Sequence, residues 1–164
     1  HASTSLSSRL GYTLHFVNEE SIAIISLLNS DVFKHFPKLK FVVPHGGGAI
    51  PYHMGRFMAT RYPSTRNIGR EAVPESEYFE NAMKKLYYDT CVYTKDGLEL
   101  LFRSVGSDNC LFGTETPGAG SAVNSKTPKP LDDLKSVIDS IDWLSEGDRK
   151  KIFEGNAMKL YRFN

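Results

Sequence analysis

Apolar side chains recur at helical spacing through several stretches of the chain and gather into short runs between them. Ile22, Ile25, Leu28 and Val32 fall on one face of a helix predicted over 19–34, with Asn18 placed to cap its first turn. Pro37 ends that pattern. The run Leu39-Lys40-Phe41-Val42-Val43-Pro44 is β-branched, aromatic and closed by proline, and reads as a buried strand. It leads into His45-Gly46-Gly47-Gly48 and a helix expected over 50–62. After a loop at 63–73 come a helix over 74–85, a strand at 86–91, a helix over 95–105 and a short strand at 109–113. Residues 118–130 are rich in Gly, Ser and Pro and read as a long surface loop. A helix follows over 131–141. Ser145 with Asp148 resembles a capping box opening a helix to 153, and 156–161 closes the chain.

Three strand-to-helix units in series predict a parallel α/β sheet. Short strands with polar residues at their C-terminal ends suit a barrel or a doubly wound sheet, and both folds place their chemistry at those ends. A closed barrel takes ~200 residues or more, so these 164 cannot close one alone. The chain opens at His1 without an initiator Met, as a fragment or a processed chain would. One domain is expected.

Composition narrows the function classes. A 40% apolar content supports an ordinary core, and 24% charged residues argue against disorder. The formal charge is +1 with scattered basic residues, which gives no electrostatic footprint for nucleic acid. The longest apolar run, 22–28, is interrupted by Ser26 and is far short of the ~20 residues of a membrane span. Cys91 and Cys110 lie too far apart for a C-x-x-C motif. They are expected as buried free thiols on strands, which fits a reducing cytoplasm.

The candidate chemistry lies where strands end. His45 follows the first strand, Asp89 lies in the second, and Glu115 follows the third. Imidazole and carboxylate together bind divalent metals or move protons. The three glycines after His45 allow close backbone approach to a ligand, yet no phosphate-loop or dinucleotide motif is present. A lipase-like H-G-G-G loop would need a G-x-S-x-G elbow, which is missing. His53 and Arg56, three apart on the following helix, would share a face, and Arg56 is a candidate clamp for a substrate carboxylate.

The stretch Phe36-Pro37-Lys38-Leu39-Lys40-Phe41-Val42-Val43-Pro44-His45-Gly46-Gly47-Gly48 resembles the sixth-strand signature of the amidohydrolase-related family, which holds metal-dependent decarboxylases and hydratases. Ala49-Ile50-Pro51-Tyr52-His53-Met54-Gly55-Arg56-Phe57 looks most like the 4-oxalomesaconate hydratase branch. So do Tyr88-Asp89-Thr90-Cys91-Val92-Tyr93 and Ile152-Phe153-Glu154-Gly155-Asn156-Ala157. The resemblance implies the C-terminal half of a (β/α)8 barrel, about strands five to eight, over residues 1–164. It implies one divalent ion, usually zinc, with His1 as the fifth-strand ligand and Glu115 as the eighth-strand acid. His45 would work beside the metal as acid or base. The first-strand H-x-H pair is absent from these residues. The implied activity is hydration of an unsaturated keto-polycarboxylate in aromatic-compound breakdown; decarboxylation or hydrolysis on the same site, or a non-catalytic barrel fragment, are the alternatives. The implied partner is a small carboxylate substrate, with homo-oligomer formation left open.

Overall fold

A computed structural model describes residues 8–63 and 73–162. The order is α1 (Ser8–Leu28), α2 (Val32–His35), β1 (Val42–Val43), α3 (Ile50–Met58), α4 (Phe79–Met83), β2 (Tyr87–Asp89), α5 (Lys95–Val105) and β3 (Cys110–Leu111). There follow β4 (Val123–Asn124), β5 (Thr127–Pro130), α6 (Leu134–Asp139), α7 (Glu146–Lys150) and α8 (Asn156–Tyr161). The parallel sheet expected from the strand-to-helix alternation is present. Its strands run in the order β1-β2-β3, with Val42 opposite Tyr87, Tyr88 opposite Cys110, and Asp89 opposite Leu111. Helices α3 and α5 lie on the connections between successive strands.

The core sits between this sheet and its helices. Tyr88, at the centre of β2, is wholly buried among Ile50, Met83, Leu98 and Leu101. On α5 the residues Leu98, Leu101, Phe102 and Val105 make one buried face at helical spacing. Thr94 caps that helix, its hydroxyl accepting from the Gly97 N–H at 3.2 Å. Ser145 caps α7 as expected, accepting from the Asp148 N–H at 3.0 Å. Asn156 is buried in the first turn of α8. Its amide donates to the carbonyls of Ser107 and Cys110, each at 2.7 Å, and so ties the last helix to the start of β3.

Five expectations need correction. Asn18 caps nothing, because α1 begins upstream at Ser8 and carries Asn18 in its interior. The helix also stops at Leu28, short of Lys34. Ser30 turns back to donate to the Leu27 carbonyl at 2.7 Å, while the Arg61 guanidinium reaches the Leu28 carbonyl at 2.8 Å and the Asn29 side chain at 2.6 Å. The buried face of α1 is Ser21, Ile24 and Leu28, whereas Ile22 is 64% exposed. The segment over 74–85 divides into a 3-10 turn at Glu75–Glu77 and the short α4. The supposed loop at 118–130 contains an antiparallel hairpin, β4 with β5. The loop expected at 63–73 lies largely outside the described residues.

The hydrogen-bonded ladder takes up only part of each apolar run, two residues in β1 and β3 and three in β2. Cys91 consequently falls just past β2, while Cys110 lies in β3; both are free and buried. No helix of the described residues is long and apolar enough to cross a membrane.

Candidate functional site

Side-chain hydrogen bonds stitch the three strand exits together where the backbone ladder ends. Asp89, the last residue of β2, accepts from the Gly46 N–H at 3.0 Å and the Cys91 N–H at 3.1 Å through one carboxylate oxygen. Thr90, wholly buried, donates to the Gly113 carbonyl at 2.8 Å and accepts from the Gly113 N–H at 3.0 Å. The first bond pair holds the turn after β1 against β2, and the second holds the chain after β3. Replacing Asp89 by alanine leaves two N–H groups without their acceptor, an expected cost of ~1–3 kcal/mol. The check is the thermal midpoint of the intact protein, in which Asp89→Asn, retaining one oxygen, should lose less.

Above this belt three side chains turn into one cleft of about 500 Å³. His45 leaves β1 at φ 48°, Tyr93 follows β2 at φ 66°, and Glu115 follows β3 at φ 59°. These are three of the four non-glycine residues with left-handed backbone among those described. Such conformations cost of order 1–3 kcal/mol each and persist where surrounding structure imposes them. Their concentration past the ends of three adjacent strands makes this rim the candidate site.

His45 Nε2 lies 3.6 Å from Glu115 Oε2, and the Tyr93 hydroxyl donates to the same carboxylate oxygen. On the other side of the imidazole, His45 Nδ1 is 2.8 and 3.0 Å from the two carboxylate oxygens of Glu20 on α1. Burial alone would push the His45 pKa down. The Glu20 hydrogen bond and charge, aided by the charges of Glu115 and Asp89, outweigh it and hold the imidazole above its usual value. Burial, with the hydrogen bond to Glu115 and its charge behind it, pushes the Tyr93 hydroxyl up, so it remains a proton donor at neutral pH. Burial likewise pushes the Cys91 thiol, on the cleft wall, up to about 12, which leaves it inert as a nucleophile. Phe16, Val17, Val92 and Ala119 supply apolar lining.

The structure therefore brings together His45 and Glu115 of the sequence-derived candidates. His1 lies outside the described residues. His53 and Arg56 are exposed on α3 and do not line the cleft; the backbone kinks at His53 (φ −102°, ψ 15°), and its ring packs edge-on against Tyr52. Sequence reasoning missed the roles of Glu20 and Tyr93. Tyr93 stood inside a family-like stretch, whereas Glu20 carried no local signal. The glycines after His45 serve packing on the protein itself. A side-chain carbon on Gly46 would meet Val92 at 2.6 Å, and one on Gly48 would meet the Val17 carbonyl at 2.7 Å.

Among the described residues no three His, Cys, Asp or Glu side chains form a group that could hold a metal ion. The kind of donor nevertheless fits one. The Glu115 carboxylate is 40% exposed in the cleft, and a carboxylate is a ligand type that divalent ions accept. It is one member of a set, and a full site needs donors from outside the described residues.

Polar groups gathered at the C-terminal ends of parallel strands define an α/β scaffold whose site is assembled from strand exits. The chain belongs to the amidohydrolase family, whose profile matches residues 1–163. It is 35% identical over 151 residues to 2-keto-4-carboxy-3-hexenedioate hydratase of Sphingobium sp., covering 90% of this chain and 40% of that protein. The crystal structure of 4-oxalomesaconate hydratase from Rhodopseudomonas palustris matches with a TM-score of 0.74 and 35% identity, covering 90% of this chain and 42% of that one. γ-Resorcylate decarboxylase of Polaromonas sp. is 27% identical over 170 residues, covering 94% of this chain and 44% of that protein. The chain thus spans about 40% of the length of such relatives.

Proposed function

We propose that the intact protein is a metal-dependent hydratase that adds water to, or removes it from, an unsaturated keto-polycarboxylate formed in aromatic-compound breakdown. The observation that carries the reading is the convergence of His45 and Glu115, 3.6 Å apart, on one cleft at the sheet's C-terminal rim. The hydratase relatives at 35% identity support the choice of reaction. In this proposal the chain supplies strands five to eight of a (β/α)8 barrel, with β1, β2 and β3 as the sixth, seventh and eighth. Glu115 and His1 would hold a divalent ion, zinc by ligand type, completed by histidines from elsewhere in the barrel. When bound, such an ion lowers the pKa of water and polarises substrate oxygens.

The chain's own groups divide the proton work. His45 Nδ1 faces Glu20, so Nε2 is the ring atom presented to the cleft, where it can deliver a proton to a departing hydroxyl or take one back. Glu115, with Tyr93 donating to it, is the carboxylate placed to take a proton from substrate carbon. Arg56 and His53, exposed on α3, are proposed to bind substrate carboxylates that extend beyond the cleft. The free buried Cys91 and Cys110 fit a cytoplasmic protein.

The deciding assay incubates the intact enzyme with a conjugated keto-tricarboxylate. Loss of the conjugated absorbance without release of CO₂ is the expected result. A second reading, non-oxidative decarboxylation, draws on the γ-resorcylate decarboxylase relative. Stoichiometric CO₂ from a carboxylated substrate would replace hydration with that reading.

A further inference from the structure

The turn that carries His45 is fastened to α1 at several points, and these share one purpose. Ser21 Oγ accepts from the Ala49 N–H at 2.9 Å and donates to the Val17 carbonyl at 2.7 Å. Gly48 sits so close to α1 that no side chain fits between them. Phe16 lies near-parallel to the His45 ring, with centroids 6.5 Å apart and planes inclined by 26°. Glu20, one helical turn after Phe16 and on the same face, places both carboxylate oxygens within 3.0 Å of His45 Nδ1. The two side chains are only 17% and 23% exposed, so this is no solvated surface pair.

We infer that Glu20 is the positioning residue of the site: by accepting from Nδ1–H it fixes the tautomer and rotation of His45 and aims Nε2 at Glu115 and the cleft. A neutral imidazole has one donor and one acceptor nitrogen, and the partner of one nitrogen dictates the role of the other. A carboxylate can only accept from Nδ1–H. The inference rests on reading His45 as an acid/base group, but its first test does not.

The first test is the ring-nitrogen signal of His45 in the histidine-labelled intact protein, identified by its absence in His45→Asn. The wild type should show the Nδ1–H form, and Glu20→Met, similar in size but without an acceptor, should lose it. A His45 signal unchanged in Glu20→Met overturns the inference. The second test is kinetic. Glu20→Met should lower kcat about tenfold or more, within the range of acid–base contributions, with KM within about twofold. Glu20→Gln, which keeps an oxygen for Nδ1–H, should recover most of that loss. Equal impairment in both variants, or none in either, counts against positioning. Should His45→Asn itself leave turnover intact, the hydratase mechanism fails while the nitrogen signal still decides the role of Glu20.

Discussion

Glu115→Gln and His45→Asn, each made in the intact enzyme, are expected to lower kcat by ~10²-fold or more, the usual contribution of a positioned acid or base. The reason is spatial. Glu115 Oε2 is the point at which the Tyr93 hydroxyl and His45 Nε2 meet, so an amide there replaces a proton acceptor with a group that cannot take a proton. Glu115→Gln should also reduce bound metal in elemental analysis, whereas His45→Asn should leave it near normal. Full turnover in both variants would remove the assignment. Full metal content in Glu115→Gln would confine that residue to proton transfer.

Gly48→Ala is expected to be strongly destabilising. At φ 64° the added carbon would stand 2.6 Å from Ser21 Oγ and 2.7 Å from the Val17 carbonyl oxygen. The second atom is backbone, so α1 itself must shift. Left-handed strain of about 1–3 kcal/mol would add to overpacking of about 1–3 kcal/mol, a large part of an ordinary domain's stability of about 5–15 kcal/mol. Since α1 carries Glu20, a shift large enough to admit the methyl also moves the carboxylate off His45. The thermal midpoint and kcat should therefore fall together. Gly55→Ala in α3, where nothing lies within 4 Å, is the matched control and should leave the midpoint level or slightly raised. A Gly48→Ala protein with wild-type midpoint and turnover would show that the turn and α1 are not rigidly coupled.

How far the sequence could be read depended on whether information was local. The helical spacing of α5 and the Ser145 cap are written in residues a few positions apart, and the predicted bounds of α5 coincide with those observed. The α1 phase was not recoverable in the same way. Its run Ile22-Ala23-Ile24-Ile25 is apolar on nearly every side, so spacing alone could not say that Ile24 faces inward and Ile22 outward. His45 and Glu115 were legible because strand exits and the family-like motif mark them. Glu20 was not, since its meaning comes from a contact 25 residues away that no periodicity encodes. The hairpin at 123–130 was hidden by the prolines within β5, residues that normally argue against a strand.

The lateral belt of Asp89 and Thr90 has one more consequence. These two side chains grip backbone groups, so they are indifferent to which side chains their neighbours display into the cleft. Support and chemistry are thereby carried by different positions, and a reactive residue at one strand mouth can be exchanged without loosening the frame beneath it. Such a division of labour is a physical route by which kindred proteins that hydrate and that decarboxylate can share a single framework.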